Sequence, residues 1–208
     1  SGGYNVFSGN FVNFTNDVPV TIENARLYIG YPGKITFIVA DITNLDTTSG
    51  SYSYTAISST TIDAYATNPN PQAGSITGNP SSDTGAVFHL GLSVPTAGKH
   101  SLIISSDGNA SIFRNNGITS QPYPFTLPGI FSITGNSALS TTNSSLYQQY
   151  YYFFYDMQVR TANCPSARTA ITASAAPAPV ISINGNILTS TQAATYQWYI
   201  NDSLMKGH

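Results

Sequence analysis

The most distinctive residues for binding chemistry form a run of six consecutive aromatic side chains, residues 150–155, followed by Asp156. Side chains alternate between the two faces of a β-strand, so Tyr151 and Tyr155 are expected on one face and Tyr152 on the other. One core cannot cover both faces. The outer row is therefore expected either to pack under a loop or under the C-terminal strands, or to stack on the C–H faces of sugar rings, with Asp156 beside it to meet their hydroxyl groups.

A second candidate binding group lies around Arg114, Asn115 and Tyr123. The planar guanidinium group of Arg114 can donate two parallel hydrogen bonds to a ligand. Turn formation by Asn and Gly explains this segment equally well, so both interpretations stay open. The candidate ligand-binding residues are Tyr151, Tyr155, Arg114, Asn115, Tyr123 and Asp156.

A calcium site is the one cofactor site that the sequence leaves open. Asp41, Asn44 and Asp46 lie close together along the chain and offer the hard oxygen ligands that Ca²⁺ prefers. The same residue types also form ordinary turns by hydrogen bonding to their own backbone. The sequence indicates no other cofactor.

Catalytic chemistry finds little support in the sequence. Nine residues are acidic, only Glu23 is a glutamate, and several of the aspartates occupy turn positions. Zinc-protease, nucleophile-elbow and phosphate-loop motifs are missing from the sequence. A glycan-active hydrolase would have to use Asp41, Asp63 or Asp156, and it is the least favoured alternative to a protein that is not an enzyme.

The composition narrows the class of partner. Only 8% of the 208 residues are charged, the net charge is −2, and Ser, Thr and Asn together make up 68 residues. Nucleic acid is not expected as a partner, because phosphate neutralisation needs clustered cations. Membrane insertion is not expected either, because no stretch approaches roughly 18 consecutive apolar residues. Hydroxyl and amide groups must therefore build the solvated surface.

The elements that position these residues are predicted to be β-strands. From Ala86 to Val94, apolar side chains alternate with mostly polar ones, which is typical of a strand with one buried face. Turn signals separate this strand from the other candidates, which are Val20–Gly30, Lys34–Ile42, Ser51–Ser58, Thr60–Thr67, Ser101–Ser105, Ser111–Arg114, Gly129–Thr134 and Tyr147–Thr161. So many short amphipathic strands predict an all-β protein, an antiparallel β-sandwich of jelly-roll-like type.

The composition also divides the chain into three predicted parts. Residues 1–172 form the predicted sandwich, residues 173–179 have the composition of a linker, and residues 180–208 hold about three further strands. Three strands are too few for an independently stable domain, so this last part is expected to be the truncated start of one. Its unpaired strand edges offer a route to a homo-oligomer.

Several of these patterns resemble a known kind of module. The segments Phe7-Ser8-Gly9, 111–117, Tyr123-Pro124-Phe125 and 150–156 resemble a β-sandwich accessory module of large secreted and cell-surface proteins of the Bacteroidetes, which are cargo of type IX secretion. Residues 181–185 and 196–201 resemble the opening strands of an immunoglobulin-like module. The resemblance implies a secreted or cell-surface location, and it brings no catalytic motif.

Taken together, these features predict a non-catalytic extracellular accessory module. A shallow face of rings and amides can hold a sugar through dispersion and hydrogen bonds, without charge. The expected partner is a polysaccharide or another cell-surface ligand, bound on behalf of a larger secreted enzyme or adhesin. The alternative from a different class is a structural spacer or a self-assembling surface subunit.

Overall fold

The computed structural model describes residues 2–77, 82–118, 123–161, 180–191, 195 and 197–205. The chain forms two compact units, Ser1–Cys164 and Pro165–His208. The described part of the chain is antiparallel β-structure with one short 3-10 helix, which confirms the all-β prediction. Within these ranges, no helix is long and apolar enough to cross a membrane. The predicted linker at 173–179 lies outside the described residues.

The strands of the first unit are β1 (Gly2–Asn5), β2 (Ser8–Asn16), β3 (Val20–Leu27), β4 (Ile29–Tyr31), β5 (Gly33–Leu45), β6 (Tyr52–Ala64), β7 (Ile76–Thr77), β8 (Ala86–Val94), β9 (Gly98–Ser106), β10 (Ser111–Asn116), β11 (Phe125–Leu127), β12 (Phe131–Asn136), β13 (Tyr150–Tyr152) and β14 (Tyr155–Thr161). A 3-10 helix, Leu146–Gln149, precedes β13.

Six of these strands form one antiparallel sheet in the order β11-β12-β2-β9-β5-β6. Side-chain alternation divides β2 between the two faces of this sheet. Val12 and Phe14 belong to the main core, whereas Phe11, Asn13 and Thr15 lie on the opposite face, which we name the outer face. The outer face carries a small apolar cluster in which Phe11 packs with residues of β5, β6 and β9.

Two smaller sheets share the core with the inner face of the six-stranded sheet. One has the order β13-β10-β1-β7, with β4 also paired to β10, and the other has the order β14-β3-β8. Phe37, Ile112 and Ile22, one from each of the three sheets, are fully buried in the same continuous core. Burial of apolar surface is the main force that holds such layers together. The arrangement is sandwich-like, as the sequence predicts.

The strand predicted at Ala86–Val94 is confirmed as β8 with the same bounds. Its inward side chains are all buried, as the alternation requires, and they are Phe88, Leu90, Leu92 and Val94.

The aromatic run departs from the prediction of one continuous strand over Tyr147–Thr161, and that prediction is wrong. Phe153 has a left-handed backbone with φ of 58°, and the Phe154 amide donates a 2.8 Å hydrogen bond to the Tyr152 carbonyl. This tight turn lets three consecutive rings, Tyr152, Phe153 and Phe154, enter the core, which a strand cannot do. The chain thereby crosses from β13 in one sheet to β14 in another.

The described residues of the second unit form two hairpins. One pairs β15 (Ile181–Asn184) with β16 (Ile187–Ser190), and the other pairs β17 (Tyr199–Ile200) with β18 (Ser203–Leu204). Gly185 takes a positive φ of 60° in the tight turn of the first hairpin. Apolar side chains of this hairpin stay exposed, and Ile183 reaches 73%. A two-stranded ribbon has no second layer with which to bury them.

Candidate binding groove on the six-stranded sheet

Three of the predicted ligand-binding tyrosines lie together in one aromatic cluster. The ring of Tyr151 lies 6.4 Å from that of Tyr123 and 5.2 Å from that of Tyr155, centroid to centroid. Tyr155 also packs edge-on against Tyr28. Asn115 pairs with Tyr151 across β10 and β13. The sequence therefore identified residues that the fold does bring close together.

The hydroxyl groups of two of these tyrosines, Tyr151 and Tyr123, are hydrogen-bonded inside the protein, whereas that of Tyr155 is buried without a hydrogen-bond partner among the described residues. The hydroxyl of Tyr151 donates a 2.5 Å hydrogen bond to the Phe154 carbonyl, and the hydroxyl of Tyr123 donates one of 2.9 Å to the Tyr150 carbonyl. Burial raises the pKa of Tyr151 and Tyr155, and it raises the pKa of Tyr123 to about 12. The rings thus pack against one another instead of forming the flat, open ridge that a straight strand would give.

The two charged residues of the predicted set point to other places. The guanidinium carbon of Arg114 lies 4.7 Å from the ring centroid of Tyr150 and 5.4 Å from that of Phe7, a cation–π arrangement at the edge of the core. Asp156 accepts a 2.7 Å hydrogen bond from Nε of Arg26 on β3. The six predicted residues therefore divide between an aromatic cluster, a cation–π cage and a surface ion pair.

Two of the three predicted calcium ligands, Asp41 and Asp46, have protein partners for their carboxylates. Asp41 lies 2.6 Å from His100, and Asp46 accepts hydrogen bonds from the Thr48 amide and the Ser49 hydroxyl in its own turn. These turn bonds lower the pKa of Asp46, the Ser49 hydroxyl first among them. Asn44 lies in β5, paired with β6. Among the described residues, no group of three or more His, Cys, Asp or Glu side chains is placed to hold a metal ion.

The three aspartates considered for hydrolysis are also paired with basic side chains. Asp41 contacts His100, Asp63 accepts a hydrogen bond from Lys34, and Asp156 accepts one from Arg26. They come from β5, β6 and β14.

A depression of about 490 Å³ lies on the outer face of the six-stranded sheet. Its floor is built by side chains of the two central strands, Phe11, Asn13 and Thr15 from β2 and Lys99 and Ser101 from β9. This volume lies within the range of about 300–1,000 Å³ that is usual for ligand sites.

The walls of the depression come from the flanking strands. Ile42 and Leu45 of β5 form the apolar side, and Thr134 of β12 forms the polar side. His100 lines its edge. The remaining lining residue is Phe14.

A smaller depression of about 240 Å³ adjoins the first, because Asn13 and Thr134 line both. Its other residues come from the end of β12 and the segment that follows, and they are Gly135, Asn136, Ala138, Leu139, Ser140, Ser144 and Tyr147. We name the two depressions together the groove. Among the described residues that line it there is no Asp or Glu, and Lys99 is the one Lys or Arg.

A β-bulge shapes the junction of the two depressions. Ile133 pairs with Phe14 and Gly135 pairs with Asn13, so Thr134 is an extra residue without an opposite partner. Bulges of this kind redirect a side chain. The missing side chain at Gly135 leaves room for the Tyr147 ring, since a Cβ there would lie 3.2 Å from Cδ2 of Tyr147.

The amide of Asn13 has a fixed orientation at this junction. The Ser101 hydroxyl donates a 2.9 Å hydrogen bond to Oδ1 of Asn13 across β9 and β2. Within the described residues, no hydrogen bond uses Nδ2 of Asn13, which lies 4.0 Å from the position of a Cβ on Gly135. The groove therefore presents an amide donor at its centre.

Sequence reasoning missed the groove because it missed β2. The alternation of Val12, Phe14 and Asn16 with Asn13 and Thr15 is the signal that could have revealed the strand. Apolar Phe11 on the opposite face interrupts that pattern, and the surrounding Ser, Gly and Asn residues are typical of turns.

Comparison with known proteins gives no match, whether with protein-family models, with curated proteins or with solved structures. The geometry of the groove is therefore the basis for any statement about function.

Proposed function

We propose that the first unit is a non-catalytic module that binds an uncharged polysaccharide in the groove. The observation that carries this proposal is the chemistry of the lining. Amide and hydroxyl groups of Asn13, Thr15 and Thr134 lie opposite an apolar wall formed by Ile42 and Leu45, and none of the described residues that line the groove carries a carboxylate. Sugar hydroxyls need hydrogen-bond partners of this kind, while the C–H faces of the ring need apolar surface.

The wider setting of the proposal comes from the sequence. The low charge, the hydroxyl-rich surface and the resemblance to Bacteroidetes accessory modules support a secreted or cell-surface location. Such a module would hold a larger secreted enzyme or an adhesin on a glycan. This role needs neither a metal ion nor a catalytic acid and base.

The experiment is affinity electrophoresis of the 208-residue chain through gels that contain one neutral polysaccharide each, with and without a chelator. The matched variants are Asn13→Ala, at the groove junction, and Asn109→Ala, in an exposed turn away from it. We expect Asn13→Ala to remove the retardation of the wild-type chain and Asn109→Ala to preserve it. Absence of retardation by every polysaccharide in the panel overturns the proposal.

A second candidate function is self-assembly through the C-terminal strands. The exposed apolar side chains of the β15–β16 hairpin favour it, because unpaired strands with apolar faces are templates for pairing with another chain. Sedimentation of the wild-type chain at increasing concentration, compared with an Ile183→Lys variant, tests this candidate. A monomer at all concentrations excludes it.

A further inference from the structure

The groove consists of two adjoining depressions that share Asn13 and Thr134, and this arrangement limits the shape of its ligand. The larger depression spans four neighbouring strands, from Leu45 on β5 through Ser101 on β9 and Asn13 on β2 to Thr134 on β12. Four strands at a spacing of about 4.8 Å cover roughly 14 Å. The smaller depression continues beyond β12 along the segment up to Tyr147.

We propose that the groove binds an internal stretch of an extended, uncharged sugar chain, which runs across β5, β9, β2 and β12 and contacts Tyr147 at the far end of the groove. The inference rests on the proposed function and adds the form of the ligand. A chain that fills only one depression meets Asn13 and Thr134 but leaves the other depression to water. A longer chain passes the junction and contacts both.

The two ends of the groove differ in what they offer. At the β5 end, Ile42 and Leu45 supply apolar surface next to the exposed Lys99. At the far end, the Tyr147 ring is half-buried, and the exposed Leu139 lies in the same depression. The far end therefore adds contact surface that a chain seated in the larger depression reaches only when it is long enough to pass the junction.

Asn13 holds the central position because its orientation is set before the ligand arrives. The Ser101 hydroxyl donates a hydrogen bond to Oδ1 of Asn13, so the side-chain amide of Asn13 presents its N–H donors to the ligand. A sugar hydroxyl or ring oxygen at the junction accepts from it. Asn13→Asp keeps the shape of the side chain but replaces the donor with an acceptor that repels the same oxygen.

The test uses oligosaccharides derived from cellulose, mannan and xylan, from the monosaccharide upward, measured by titration calorimetry on the full chain. We expect the affinity to rise with chain length until both depressions are filled and then to stay constant. Reduction of the terminal sugar to its alditol is expected to leave the affinity of the longest oligosaccharide unchanged, because an internal stretch is bound. Asn13→Asp is expected to lower affinity at every length.

Tyr147→Ala and Leu139→Ala separate the far end from the centre. Both are expected to weaken binding of the longest oligosaccharide, by about tenfold for Tyr147→Ala, and to leave the shortest ligand that binds unaffected. Leu139 is 39% exposed, so its variant is expected to fold even if Tyr147→Ala does not. Two results overturn the inference while the proposed function stands. One is equal affinity for short and long oligosaccharides, and the other is loss of binding by the longest oligosaccharide when its terminal sugar is reduced to the alditol. No binding at any length overturns the proposed function.

Discussion

His100 and Asp41 form a pair that joins β9 to β5 at the edge of the groove. Nδ1 of His100 lies 2.6 Å from Oδ1 of Asp41, and Nε2 lies 3.2 Å from the Thr96 carbonyl oxygen. The side chain of His100 is 5% exposed, whereas that of Asp41 is 51% exposed. Asn16 donates a 2.8 Å hydrogen bond to the same Thr96 carbonyl. The pair therefore anchors the turn between β8 and β9 and keeps the groove floor in register.

His100→Ala is expected to destabilise the first unit by about 1–3 kcal/mol, because it removes a buried ring together with its contacts to Asp41 and the Thr96 carbonyl. Urea unfolding measures this loss. His89→Ala is the matched control, since His89 lies in an exposed position on β8 and contacts Asn24. The His89→Ala variant is expected to lose no more than about 0.5 kcal/mol in free energy of unfolding. Equal losses for the two variants contradict the anchoring role.

Tyr151→Ala is expected to lower the free energy of unfolding by about 2–4 kcal/mol, because it removes a ring that packs against Tyr123, Phe125 and Tyr155. Tyr151→Phe is expected to cost about 1 kcal/mol, for its single hydrogen bond to the Phe154 carbonyl. Neither is expected to change polysaccharide binding by the folded protein.

Thermal and urea unfolding of both variants, alongside affinity electrophoresis, make the measurement. Tyr65→Ala is the control, because Tyr65 is 58% exposed. A Tyr151→Ala variant that keeps its stability and loses binding would show instead that the aromatic cluster is the ligand site.

Alkaline pH is expected to destabilise the first unit. Burial raises the pKa of Tyr123 to about 12, and it raises the pKa of Tyr4, Tyr151 and Tyr155 as well. In the unfolded chain these groups ionise near their ordinary pKa of about 10. The contribution of these tyrosines to the free energy of unfolding is therefore complete below about pH 10. It is lost as the pH rises toward about 12, because the unfolded state then binds fewer protons than the folded state.

Urea unfolding at a series of pH values, with tyrosinate absorbance recorded in parallel, measures this effect. Tyr123→Phe is expected to reduce the slope of stability against pH in this window, since one late-titrating phenol is removed. A stability that stays flat across the window would show that the buried tyrosines ionise as easily in the folded protein as in the unfolded one.

The strands that the sequence predicts best are those with one buried face and one solvent-exposed face. The prediction Ala86–Val94 matches the bounds of β8. All but one of its outward residues are polar or small, the exception being Val87, so the contrast with the apolar inward residues is clear in the sequence. In the aromatic run 150–155 the residues of both faces are apolar rings, so the sequence does not show which face is buried. The left-handed turn at Phe153 explains how its rings become buried. The candidates Ser51–Ser58 and Thr60–Thr67 are one strand, β6, because the polar Ser and Thr residues between them do not break a strand at the sheet edge.

The sequence did not predict the groove, for a different reason. Asn13, Ser101 and Thr134 belong to three strands, and only the register of β12, β2 and β9 brings them to one face. Thr134 enters the groove through a bulge, which period-two alternation does not anticipate. Ser and Asn at these positions look like the many others in a chain where hydroxyl and amide residues dominate.

Gly135→Ala is expected to weaken polysaccharide binding through Tyr147. The added Cβ would lie 3.2 Å from Cδ2 of Tyr147, closer than ordinary van der Waals contact, so the ring must leave the position in which it lines the groove. Gly135 lacks the positive φ that favours glycine, so the substitution itself is expected to cost less than about 1 kcal/mol. We expect the affinity for a long oligosaccharide to fall by about tenfold, equivalent to about 1.4 kcal/mol.

A double-mutant cycle with Tyr147→Ala shows whether the ring carries this effect. Once the ring is absent, the Cβ at position 135 has nothing to displace, and its nearest remaining neighbour is Nδ2 of Asn13 at 4.0 Å. Gly135→Ala is therefore expected to change binding in the wild-type background and to have no further effect in the Tyr147→Ala background. If the two substitutions lower affinity additively, the methyl group acts on Asn13 or on the ligand directly, and Tyr147 does not form the wall at that end of the groove.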